Sequence, residues 1–98
     1  MTDYILLMYN DVPERRPDHE WPTYLAKLRE AAAFQGGSSI GGGFCVRKGG
    51  TAAEITGHLG GYIRIRAADF EAARALVAGN PVYEAGGTVE IRELPKDE

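Results

Sequence analysis

The sequence predicts an α+β domain of the ferredoxin-like kind: βαββαβ, a four-stranded antiparallel sheet with two helices on one face. Three observations carry the prediction. Two amphipathic helical stretches, near 18–35 and 70–78, each follow one extended apolar stretch and precede another. Residues 61–66 and 87–94 alternate apolar and polar side chains, the period of a half-buried strand. The chain has 98 residues and a mass of 10.6 kDa, room for one domain over 1–98. By surface scaling it buries roughly 64% of its unfolded surface, enough for a single thin core.

Each element has a local reason. Residues 3–9, Asp-Tyr-Ile-Leu-Leu-Met-Tyr, are apolar without alternation, as in a strand buried on both faces. Pro13 and Pro17 make 10–18 a loop. The first helix starts at Asp18 or Trp21 and runs to Gln35, with Trp21, Tyr24, Leu25, Leu28, Ala31, Ala32 and Gln35 on one face. Gly36-Gly37 ends it. The second strand spans 39–47 with Phe44 and Val46 on one face, weakened at its start by Gly41 to Gly43. A loop runs from Lys48 to Gly60. In the third strand, Gly61 to Arg66, Ile63 and Ile65 face one way and Tyr62, Arg64 and Arg66 the other. Asp69 caps a helix over 70–78 with Phe70, Ala73, Leu76 and Val77 inward, and Gly79 and Pro81 stop it. The fourth strand is 87–94, and Pro95 to Glu98 form a solvated tail.

That topology orders the strands 4-1-3-2. The central first strand then has an uncovered apolar side, which predicts a homodimer joined through the open sheet faces. It also gathers the connections 9–20, 47–60 and 79–87 at one end. The two histidines, His19 and His58, lie there with Asp18, Arg15, Arg16, Glu54, Asn80, Tyr83 and Glu84. A cleft at that end is the first candidate for a site. Histidines in polar loops are also ordinary surface residues. On the open face, Tyr62, Arg64 and Arg66 either form interface salt bridges with Glu90 or with a partner subunit, or Arg64 and Tyr62 line a cavity for an anion, since a guanidinium fork matches a carboxylate.

Other motifs point away from specialised chemistry. One thiol and two distant histidines lack metal-ligand spacing, so no metal site is expected. The glycines of 36–43 follow a helix and carry no phosphate-loop signature. Ser38 and Ser39 lie at the opposite end from the histidines. Cys45 reads as a small core thiol. The net charge of −3 speaks against nucleic acid or an anionic membrane as partner. No apolar run reaches a membrane span, and no signal peptide is visible. A single cysteine fits a reducing, cytoplasmic compartment.

The chain resembles the YCII-related family of small dimeric α/β-barrel proteins along nearly its whole length. Tyr4-Ile-Leu-Leu-Met-Tyr9 is similar to the family's opening strand, and Leu59-Gly-Gly-Tyr-Ile63 to its Leu-Gly-Gly-Tyr-Tyr segment. Ala78-Gly-Asn-Pro-Val82 followed by Gly86-Gly-Thr-Val-Glu-Ile-Arg92 is similar to its Gly-x-Pro and Gly-Gly-x-Val-Glu-Val-Arg pieces. The resemblance implies a ferredoxin-like fold and a dimer. It also implies kinship with proteins resembling muconolactone isomerases and dehalogenases. One branch has a His-Asp pair, its histidine set before a Leu-Ala-Arg-Leu-like stretch. Here Tyr24 takes that place in Tyr24-Leu-Ala-Lys-Leu28, and no aspartate lies between Asp18 and Asp69. Another branch's Asp-Gly-Pro-Phe motif is replaced by Thr51-Ala-Ala-Glu-Ile-Thr-Gly57.

Two expectations follow. The first is a dimeric protein that binds a small, anionic metabolite. The second is a cofactor-free lyase, isomerase or hydrolase acting on an anionic or lactone-like metabolite. In it His58 or His19 moves a proton, Arg64 or Arg15 holds a carboxylate, Tyr24 and Tyr83 supply hydroxyls, and Glu54 or Glu84 orients an imidazole.

Overall fold

The computed structural model describes residues 1–13 and 20–96. Strand β1 spans Thr2–Tyr9, helix α1 Glu20–Glu30, strand β2 Phe34–Ser39 and strand β3 Leu59–Ala67. Helices α2, Phe70–Ala75, and α3, Pro81–Glu84, precede strand β4, Val89–Leu94. The sheet is antiparallel with order β2-β3-β1-β4. This is the predicted 4-1-3-2 order read from the other edge.

β1 is the hub. Leu6 stands opposite Ile63 on one side and Ile91 on the other. Tyr4, Leu6 and Met8 are buried beneath the helices, whereas Ile5, Leu7 and Tyr9 are half-buried on the face the helices leave open. The helix side joins Leu6, Ile63 and Ile65 to Tyr24 and Leu28 of α1 and Ala73 of α2 in one core. Fully burying each of these leucines or isoleucines contributes about 1.5–3 kcal/mol. The Tyr24 hydroxyl donates to Leu76 O at 2.7 Å and Lys27 Nζ to Ala78 O at 2.6 Å, so α1 is tied to the chain that follows α2.

Four expectations are corrected. α1 ends at Glu30, not Gln35. Ala32 takes the left-handed conformation, φ 57°, and Ala33 N donates back to Leu28 O at 2.9 Å, which closes the helix before the glycines. Ala31 and Ala32 continue the apolar period without any preference for where it stops.

β2 is therefore Phe34–Ser39, not 39–47. Gly36, φ 121°, makes an irregularity in its pairing with β3. A Cβ on Gly37 would come 2.6 Å from Tyr62 O, so only glycine fits that approach. Phe44, Cys45 and Val46 belong to no strand and are exposed. Their alternation meets no partner strand among the described residues.

α2 stops at Ala75, and Phe70 is half-exposed, although its ring meets Tyr4 edge-on at 4.9 Å. Finally, 79–87 is not a bare loop. Asn80 caps the single turn α3, with Pro81 in its first position.

Candidate functional site

Trp21 and Leu25 lie one turn apart on α1, and both are only half-buried. Beneath them β2 and β3 carry Gly37 and Gly61 on the helix side of the sheet, where the register alternates with Ile63 and Ile65. Large residues above and glycines below leave a gap. It is a cleft of about 730 Å³.

Met8, Val12, Phe34, Ile63 and Val82 complete its apolar walls. Asn10, Ser38 and Ser39 bring polar groups to its border, the serines standing at the His58 end of the sheet and not at the opposite one, and Tyr9 and Tyr62 also touch it. No Lys, Arg, Asp, Glu or His lines it among the described residues. The arrangement can hold a flat, mostly apolar molecule and hydrogen-bond its edge.

A polar cluster adjoins this cleft at the end of the sheet where the connections meet. Asn10 N donates to His58 O at 2.9 Å, and Thr88 N donates to Asp11 Oδ1 at 2.9 Å. The His58 ring lies 4.5 Å from that of Tyr9. The Tyr9 hydroxyl donates to Glu90 Oε1, and Arg92 Nη1 lies 3.1 Å from Glu90 Oε2. The Tyr9 hydrogen bond, then the one from Arg92, holds the Glu90 carboxyl below its ordinary range. The same Glu90 bond pushes the Tyr9 phenol up. Hydrogen bonds from the Thr88 hydroxyl and amide hold Asp11 low.

The other predicted site residues disperse. His19, Arg15, Arg16 and Asp18 lie outside the described residues. Tyr24 is buried in the core with its hydroxyl on Leu76 O, where it cannot serve a ligand in the cleft. Burial pushes its phenol up. Arg64 is exposed and its register places it on the open face, away from the cleft. Tyr83 faces a separate groove between α2 and β4. Glu84 Oε2 accepts from Gly79 N at 2.9 Å, and Glu54 is exposed between β2 and β3. Nothing in the sequence marks Trp21, Leu25, Gly37 and Gly61 as one set. Trp21 and Leu25 carry a helix periodicity that reads as core, and Gly37 meets Gly61's neighbours only once the register is known.

A profile of the YCII-related domain matches residues 4–96. The chain belongs to the YCII-related family. This YCII-related chain is also similar in fold to the 5-chloro-2-hydroxyhydroquinone dehydrochlorinase from Burkholderia phenoliruptrix AC1100, solved in complex with 2,5-dihydroxybenzoquinone. The TM-score is 0.53 at 16% identity, over 99% of this chain and 96% of that one. No curated protein matches this family member. Among its described residues no helix is long and apolar enough to cross a membrane.

Proposed function

We propose that this protein is a homodimeric, single-domain binder of a small hydroxylated aromatic or quinone-like molecule, seated in the cleft under α1. The observation that carries the reading is the apolar gap between Trp21 and Leu25 above and Gly37 and Gly61 below, with hydrogen-bonding groups at its border. The described part of the lining is uncharged and mostly apolar, which suits a flat ring with polar groups at its edge. The dehydrochlorinase that shares the fold holds a quinone, which supports the ligand class. A single cysteine fits a reducing compartment, and a cytoplasmic location belongs to the same reading.

The experiment is a thermal-shift titration with hydroxyhydroquinones, dihydroxybenzoquinone and small carboxylates. At 100 times its dissociation constant a ligand stabilises by about 2.7 kcal/mol, a shift of several degrees for a domain this size. Wild type should respond to the ring compounds. Leu25→Trp, which fills the gap, should not. Equal shifts in both proteins would sink the cleft.

A second reading, a cofactor-free acid/base enzyme, is favoured by one observation: Tyr9 touches the cleft, the His58 ring and Glu90 together. It requires turnover of a bound ring compound that is lost in both Tyr9→Phe and His58→Ala. Binding without any product rejects it.

A further inference from the structure

Between β2 and β3 the chain departs from the body. Residues 40–58 contain neither helix nor strand, unusual for so long a connection in a small domain. They are nevertheless organised. Ile40 N donates to Gly60 O at 3.1 Å, and Asn10 Nδ2 donates to Gly57 O at 3.2 Å, so the base is fastened on both sides. Gly49 and Gly50, φ 72° and 75°, turn the chain at the tip. Arg47 Nη1 reaches Thr51 O across that turn at 3.5 Å. Ile55 Cδ1 lies 3.7 Å from where a Cβ on Gly43 would stand, so the two limbs run side by side. This is a two-limbed arm.

The arm carries apolar side chains into water. Phe44 is 84% exposed, Val46 83% and Ile55 50%. Phe44 and Val46 are two apart on one limb, the spacing that presents two side chains to one surface when the limb is extended.

The surface of the whole chain agrees. Its accessible area is 6889 Å², where a monomeric globular protein of this mass exposes about 5,500 Å². The radius of gyration is 15.0 Å, where about 12.6 Å is usual for this length. The excess of about 1,400 Å² exceeds the ~800 Å² that each partner buries in a standard interface.

The same chain holds a matching receiver. Ile5, Leu7, Tyr62 and Leu94 are half-buried apolar side chains on the sheet face that the described helices leave open, bordered there by Arg64, Arg92 and Glu90. One limb of the arm runs directly into β3, which carries Tyr62. A dimer joined through two open faces is isologous, so whatever one arm contacts on its partner the partner's arm contacts in return.

We infer that residues 40–58 are a dimer clasp: the arm of one copy packs Phe44, Val46 and Ile55 against the open sheet face of a second copy. The clasp rests on the homodimer reading above and adds the segment that holds it.

Sedimentation velocity over a dilution series tests it on the full chain, with Phe44→Ser/Val46→Ser and, independently, Ile55→Ser. Circular dichroism monitors folding. A photo-cross-linking benzoylphenylalanine at position 44 identifies the contact in a mixture of isotope-labelled and unlabelled chains. The expected result is a wild-type dimer and at least thirtyfold weaker association of the double variant, with Ile55→Ser shifted the same way. Mixed-isotope cross-links should reach peptides holding Ile5, Leu7 or Tyr62. A double variant and Ile55→Ser that both associate as tightly as wild type, or cross-links confined to one chain, overturn the clasp and leave the homodimer standing. A wild-type monomer at every concentration overturns both.

Discussion

Asn80 is fully buried and uses both ends of its amide. Its Oδ1 accepts from Val82 N at 2.9 Å and Tyr83 N at 3.2 Å, and its Nδ2 lies 3.5 Å from Met8 Sδ. One side chain thus starts α3 and touches the central strand. Asn80→Ala leaves two amides without their acceptor, and we expect a loss of about 2 kcal/mol. A melting point within a degree of wild type would refute this. The charged pairs give the pH profile. Asp3, held low by the Arg66 hydrogen bond, joins Asp11 and Glu90 as carboxyls whose folded-state pKa lies below the unfolded value. Their stabilisation is present above about pH 4 and disappears as pH falls through the folded values. Tyr9 is shifted up, so its contribution is present below about pH 10 and is lost as pH rises through its folded value. Chemical denaturation across pH should therefore show a plateau with an acid and an alkaline shoulder. Glu90→Gln should diminish both shoulders, and an unaltered profile in that variant would count against the Tyr9–Glu90 assignment.

At the scale of elements, the end of α1 is the instructive case. Ala32 adopts a backbone conformation that costs a non-glycine residue about 1–2 kcal/mol. Ala32 is also exposed, so nothing is lost from packing when its methyl is removed. Ala32→Gly should therefore raise stability by about 1 kcal/mol, read from urea denaturation at constant slope; a decrease would show that α1 ends by another means. The strands that were legible, β1, β3 and β4, announce themselves by apolar content and by partners in register: Leu6, Ile63 and Ile91 stand side by side. Asp69 was equally legible, because a cap acts within one turn, and its Oδ1 accepts from Ala72 N at 2.8 Å. β2 was not. Phe34-Gln-Gly-Gly-Ser-Ser39 has no β-branched residue, and its strand character comes from its neighbour β3. The cleft shares that origin. Gly37 and Gly61 are distant in sequence, and their joint effect as a floor exists only after β2 and β3 pair.

At the scale of the whole molecule, β4 closes the sheet over β1 and brings Val89 and Ile91 to the core. A chain ending at Gly87 keeps both principal helices yet exposes one full side of the hub. It should melt without a cooperative transition, and a sharp calorimetric peak in that truncation would overturn the central role given to β1. The same arrangement has a consequence for how the molecule is made. β1 is made before either strand it pairs with, β3 at Leu59–Ala67 and β4 at Val89–Leu94. At about 5–20 residues per second, roughly 4–16 s separate the synthesis of Tyr9 from that of Val89. For roughly 3–12 s of that interval, until Ala67 is made, Ile5, Leu6 and Leu7 are an apolar stretch without either neighbour, and until β4 is made they lack one. The domain is thus sticky at β1 until its later strands arrive, and slow decoding between β1 and β3 would lengthen its most aggregation-prone moment.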